Sequence, residues 1–137
     1  MSLQIPTLNV EAELVTVPLV DRVWQVHRLG NYAGLLEGSA VPGEGPAVIA
    51  AHNTLNDSEY GLFALLGALE INDLIMVNAE DGSVKLFRVY ANELFEPDDM
   101  AGLTAVAGTA ENTLVLITCE NESVHGGYLH RRVIFAK

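Results

Sequence analysis

The sequence predicts a mainly β fold, a single and mostly antiparallel barrel with only minor helix. Three observations carry that expectation. Short apolar runs with a period of two recur along the chain, turn-forming Gly, Pro, Asn and Asp separate them, and only one stretch carries a helical stripe. With 137 residues, half of them hydrophobic, one core is expected without disulfide or metal support. No repeat, linker or low-complexity tract divides the chain, so residues 1–137 are read as one domain.

In order, Leu8, Val10, Ala12 and Leu14 alternate with polar neighbours, and Val15-Thr16-Val17 extends that strand toward Pro18. Val23 to His27 alternates less cleanly. Gly30-Asn31, Gly34 and the stretch from Gly38 to Pro46 then supply turns, which predicts a loop-rich crossing before the apolar run Val48-Ile49-Ala50-Ala51. Between Glu59 and Glu70, Leu62, Phe63, Leu65, Leu66 and Leu69 fit one helical face, predicting a short helix that Asn72-Asp73 terminates. Leu74 to Val77 and Val84 to Tyr90 read as strands of a hairpin around Glu80-Asp81-Gly82-Ser83, whose Asp-Gly pair suits a tight turn. Pro97-Asp98-Asp99 and the Gly- and Ala-rich Ala101 to Ala110 read as a mobile connection. Two further apolar runs, Leu114 to Cys119 and Val133 to Ala136, complete the strand set.

The formal charge of -11, from 18 acidic and 7 basic residues, argues against nucleic acid as a partner. Neutralising phosphates takes clustered Lys and Arg, and Arg131-Arg132 is the only adjacent basic pair. There is no uninterrupted run of about eighteen apolar residues to span a membrane, and the amino terminus lacks the basic-then-apolar plan of a secretory signal. Met1-Ser2-Leu3 has the look of an added start, which leaves room for an anchor or signal ahead of it. Acidic positions such as Asp98, Asp99, Glu120 and Glu122 read as solvated carboxylates, and no metal or cofactor is assigned.

Cys119 is the only cysteine, so it closes no internal disulfide and builds no structural zinc site. It ends an apolar run, and Glu120-Asn121-Glu122-Ser123 follows at once, which predicts a thiol at a strand mouth. Such a cysteine is commonly a small packing residue, and an inert Cys119 in a barrel that binds an extended peptide without cleaving it is the competing reading. Nucleophilic use needs an imidazole or a positive field to hold the thiolate. Of His27, His52, His125 and His130, His52 is best placed, because it closes an apolar strand beside a loop. Arg131-Arg132 opens the last apolar run. Side chains alternate along a strand, so the two arginines serve opposite faces, and spacing alone does not choose between them.

Beyond these local signals, the chain resembles a sortase, a cysteine transpeptidase of the cell surface. Val115-Leu116-Ile117-Thr118-Cys119 is similar to the family's Thr-Leu-x-Thr-Cys signature, with Val115 in place of the first Thr. Ile5-Pro6-Thr7-Leu8 resembles the opening Ile-Pro-x-Leu strand, and Leu36 to Gly43 the loop before the histidine strand. Ile49-Ala50-Ala51-His52-Asn53 is similar to the histidine segment, with Ala51 where Gly is common, and Gly61 to Leu66 to the helix that follows. His52-Asn53 is similar to class B members, while the flanking segments look more like classes D, E and F.

The resemblance implies an eight-stranded sortase-type β-barrel with one or two short helices. It implies catalysis by Cys119, His52 and Arg132, the last because the family's arginine is followed at once by an apolar closing strand, here Val133-Ile134-Phe135. Thr118 and Asn53 are the implied substrate contacts. The expected partners are the sorting-signal peptide of a surface protein and an amine acceptor of peptidoglycan or pilin type, joined through a thioacyl enzyme. A cysteine hydrolase that passes the acyl group to water shares all these residues. The family also implies an extracytoplasmic place of action, with a membrane anchor in the full-length protein.

Overall fold

Eight strands close on themselves in the computed structural model, which describes residues 1–21, 23–24, 29–52, 54–56, 59–95, 112–122 and 128–137. Residues 23–24, 54–56, 59–60, 95, 119–122 and 128–131 are described by their backbone alone. The strands are β1 (Ser2–Ile5), β2 (Val10–Val17), β3 (Leu19–Val20), β4 (Val23–Trp24), β5 (Ala33–Leu36), β6 (Ala47–Ala50), β7 (Thr54–Asn56), β8 (Glu59–Tyr60), β9 (Leu74–Asn78), β10 (Val84–Phe95), β11 (Leu114–Glu122) and β12 (Tyr128–Ala136). Around the barrel they run β1-β2-β5-β6-β11-β12-β10-β9, while β3–β4 and β7–β8 form two separate two-stranded sheets. The barrel is mixed: β2 pairs with β5 and β6 with β11 in parallel, and the other six pairings are antiparallel. A parallel pair needs a crossover connection rather than a hairpin. The β3–β4 ribbon lies within the connection from β2 to β5.

Alternation along the strands sorts the apolar residues into two clusters. Lumen positions contributed by all eight barrel strands, among them Leu3, Leu14, Leu35, Ile49, Ile75, Val89, Leu116 and Ile134, form one continuous buried core. On the opposite face of β6, β11 and β12, Val48, Ala50, Val115, Ile117, Val133 and Phe135 form a second buried cluster. A bulge in β10 shifts the pairing with β12 at Tyr90: Val89 lies opposite Ala136, and Ala91 opposite Phe135. The extra residue reverses the parity of everything after it, so that Asn92 comes to lie opposite lumen-facing Ile134.

Most of the expected elements appear, and four expectations change. The predicted helix over Glu59 to Glu70 is a turn followed by a 3-10 helix, Leu66–Ala68. Phe63, Leu66 and Leu69 are its buried residues, spaced three apart as a 3-10 winding requires, whereas Leu65 is 64% exposed. Gly61 and Gly67 weaken an α-helix there. The predicted loop-rich crossing contains β5, a barrel strand whose inner residues Ala33 and Leu35 are buried. Its glycine hid it from a propensity reading. β11 continues three residues past Cys119, and β12 begins at Tyr128, so the thiol and both arginines lie inside strands. The predicted connection from Pro97 to Ala110 lies outside the described residues, as do His27 and His125.

The hairpin between β9 and β10 has the expected chemistry. Gly82 adopts φ +88°, and the Asp81 carboxylate accepts from the Ser83 hydroxyl at 2.6 Å and the Ser83 amide at 2.9 Å. The Ser83 hydroxyl and then its amide hold the Asp81 carboxyl below the usual carboxylate range. The contribution of this turn is therefore present above the ordinary carboxylate pKa and fades as the pH falls.

Gly34 allows a close approach within β5. A Cβ there would collide with the Val17 side chain and come within 2.7 Å of Leu29 Cδ2, and both of those residues are buried. Val17 is β-branched and has few rotamers with which to yield. Gly34→Ala is therefore expected to lower stability by about 1–3 kcal/mol in urea denaturation, through overpacking. An unchanged midpoint would show that this layer relaxes freely.

Candidate active site

The register of β11 builds the site. Along its parallel edge, Leu114, Val115, Leu116 and Ile117 pair with Ala47, Val48, Ile49 and Ala50. The Ala51 amide still donates to the Ile117 carbonyl, at 3.3 Å, after which β6 has ended. Counting the same register two residues beyond the last pair brings His52 level with Cys119. Along its antiparallel edge, β11 pairs Thr118 with Arg132 and Cys119 with Arg131. Positions 119 and 131 thus face each other across the β11–β12 ladder, with Phe95 of β10 on the far side of Arg131, while residue 52 follows the end of β6.

Parity separates the two arginines. Positions 119, 131 and 52 continue the alternation of Ile117, Val133 and Ala50, which belong to the outer cluster. Positions 118 and 132 continue that of Leu116 and Ile134, which belong to the lumen. Leu94 completes the second row, opposite Arg132 on its other side.

His52 is half-buried just past the end of β6, and its carbonyl accepts from the Phe63 amide at 3.0 Å. Thr118 is buried, and its hydroxyl has no hydrogen-bond partner. Asn53 lies outside the described residues. Arg132 is half-buried, and its Nη1 donates to Asn92 Oδ1 at 3.0 Å. Asn92 Nδ2 in turn donates to the carbonyls of Gly67 and Leu69, at 3.1 and 2.8 Å. Carbonyls only accept and a guanidinium only donates, so the amide has one orientation that satisfies all three contacts. A hydrogen bond to a charged group contributes about 1.5–3 kcal/mol. Among the described residues, no group of three His, Cys, Asp or Glu is arranged to hold a metal ion.

Of the residues singled out from sequence, the fold pairs Cys119 with Arg131 and Thr118 with Arg132, and sets His52 just past the end of the strand that neighbours β11. Sequence reasoning did not find Asn92. Its only signal is an amide in an otherwise strand-like run, and its inward parity follows from the Tyr90 bulge, which no local pattern announces.

The fold agrees with comparisons to known proteins. The sequence model described as "Sortase domain" matches residues 3–137. No curated protein matches the chain. Among solved structures, a lid mutant of sortase A from Corynebacterium diphtheriae is 26% identical with a TM-score of 0.77, and the match covers 98% of this chain and 67% of that one. Another structure of sortase A from that organism is also 26% identical, with a TM-score of 0.76 and coverage of 98% and 58%. Sortase C from Streptococcus pneumoniae is 26% identical with a TM-score of 0.75, covering 99% of this chain and 64% of that one. The chain therefore spans roughly three fifths to two thirds of the lengths of these relatives. With the family's sequence pattern running from residue 3 to residue 137 and an eight-stranded barrel beneath it, the chain belongs to the sortase family.

Proposed function

We propose that residues 1–137 form one catalytic domain that acts as a cysteine transpeptidase on the sorting signal of a surface protein. What supports this reading is the register of β11, which pairs Cys119 with Arg131 on one side and, on the other, Ile117 with Ala50, two residues before His52. The Cys119 thiolate attacks the carbonyl carbon of the motif's Thr, at its peptide bond to the next residue. The C–S bond forms as the C–N bond breaks, and the leaving amine takes a proton from His52. An acceptor amine then attacks the thioacyl carbon and passes a proton to His52, and the thiolate departs. Peptidoglycan and pilin amines are the acceptor classes that fit this chemistry.

The guanidinium in this scheme is better supplied by Arg131 than by Arg132, the residue that the resemblance pointed to. Arg131 is the register partner of Cys119, whereas Arg132 is paired with Thr118 and bonded to Asn92. An arginine across the strand from the thiol favours the thiolate and donates to the developing oxyanion. Asn53, next to the imidazole, and Thr118, next to the thiol, are the proposed substrate contacts. Because the Thr118 side chain is buried, its contact runs through the backbone. The place of action is extracytoplasmic. Among the described residues no helix is long and apolar enough to cross a membrane.

Cys119→Ala is expected to abolish amine-dependent acyl transfer from a sorting-motif peptide, and full turnover by that variant would reject the nucleophile. In the native protein iodoacetamide should label Cys119 without denaturant, whereas resistance until unfolding would favour an inert thiol in a peptide-binding barrel. Product analysis with and without added amine separates transpeptidation from hydrolysis. Arg131→Ala should lower kcat by about 10²-fold or more, the usual consequence of removing an oxyanion donor. A larger loss in Arg132→Ala would return the role to Arg132.

A further inference from the structure

The bonds around Asn92 run from the end of the barrel to the histidine. Phe63, Leu66 and Leu69 are buried in the lumen core, so the segment from Phe63 to Leu69 plugs one end of the barrel. Within it, the Leu66 amide donates to the Phe63 carbonyl at 3.1 Å and the Leu69 amide to the Leu66 carbonyl at 3.2 Å. At its start, the Phe63 amide holds the His52 carbonyl. At its far end, Asn92 takes the Gly67 and Leu69 carbonyls and is itself held by Arg132.

Two features make this arrangement more than packing. A short 3-10 turn leaves its terminal carbonyls without internal partners, and apolar contacts alone do not fix its rotation. Asn92 faces those carbonyls only because the Tyr90 bulge reverses parity in β10. The amide is also the one group here able to accept from Arg132 while donating to the plug, since aspartate would set a carboxylate against two carbonyls.

We infer that Asn92 and Arg132 are positioning residues for His52: together they clamp the Phe63–Leu69 plug, which holds the imidazole-bearing segment through the Phe63 amide. The inference rests on the proposed role of His52 as proton carrier. Neither residue touches substrate in this scheme. Both act by keeping His52 in line with Cys119, and small misplacements of a catalytic group cost large factors in rate.

The test measures kcat and KM for amine-dependent transfer from a sorting-motif peptide, together with hydrogen exchange at the Phe63 amide, in Asn92→Ala, Asn92→Asp and Arg132→Lys. Cys119→Ala serves as the control for the reading beneath it. Asn92→Ala and Asn92→Asp should lose about tenfold or more in kcat with KM within about twofold of wild type, and Phe63 should exchange faster at temperatures where the fold is intact. Arg132→Lys keeps the charge but not the planar donor, so it should fall between wild type and Asn92→Ala. If Asn92→Ala does not fold, Arg132→Lys carries the same two readouts. Wild-type kcat and unchanged Phe63 exchange in the folded variants, with Cys119→Ala inactive, would overturn the clamp and leave the transpeptidase reading standing. Retained turnover in Cys119→Ala would instead remove that reading.

Discussion

Everything at the site depends on where β11 stands. It pairs in parallel with β6 and antiparallel with β12, and each pairing is a ladder of backbone hydrogen bonds that admits one register. A slip of one residue on either side would send every lumen side chain to the outside and every outer side chain to the lumen. Fully buried Leu114, Leu116 and Ile134 on one face, with Val115 and Val133 on the other, make such a slip very costly. The register that this burial enforces is the same one that pairs Cys119 with Arg131 and ends β6 two residues short of His52.

The same period of two divides labour between adjacent residues. Arg131 and Arg132 are neighbours in sequence but occupy different rows, one paired with Cys119 and the other with buried Thr118 and bonded to the Asn92 amide. A guanidinium placed among lumen residues needs acceptors, and Asn92 provides one while saturating its own donors on the plug. Exchanging the two rows would require shifting β12 by one residue against both its neighbours.

A barrel of this kind has open ends, and the end nearest the site is closed by the segment from Phe63 to Leu69 rather than by an α-helix. Its buried side chains recur every third residue, so a 3-10 winding places all three into the lumen core with Leu65 left outside. That closure joins the core to the histidine segment through the backbone bond from Phe63 to His52.

The mainly β class and the β9–β10 hairpin were legible in the sequence, because alternation and Asp-Gly turns are local signals. The strand β5 was not, since Ala33-Gly34-Leu35-Leu36 has too short a pattern and a glycine whose purpose is to admit Val17 and Leu29. Nor was the 3-10 winding of the plug, which depends on which leucines find room in the lumen. The assignment between Arg131 and Arg132 also lay beyond local reading: alternation says that they differ, and only the pairing partner says how. Sequence by itself determined which residue types stand at the ends of the apolar runs. Tertiary structure decided which of them share a face, because register is set by long-range burial and by a bulge at Tyr90 that reverses the faces of β10 without leaving a mark in composition.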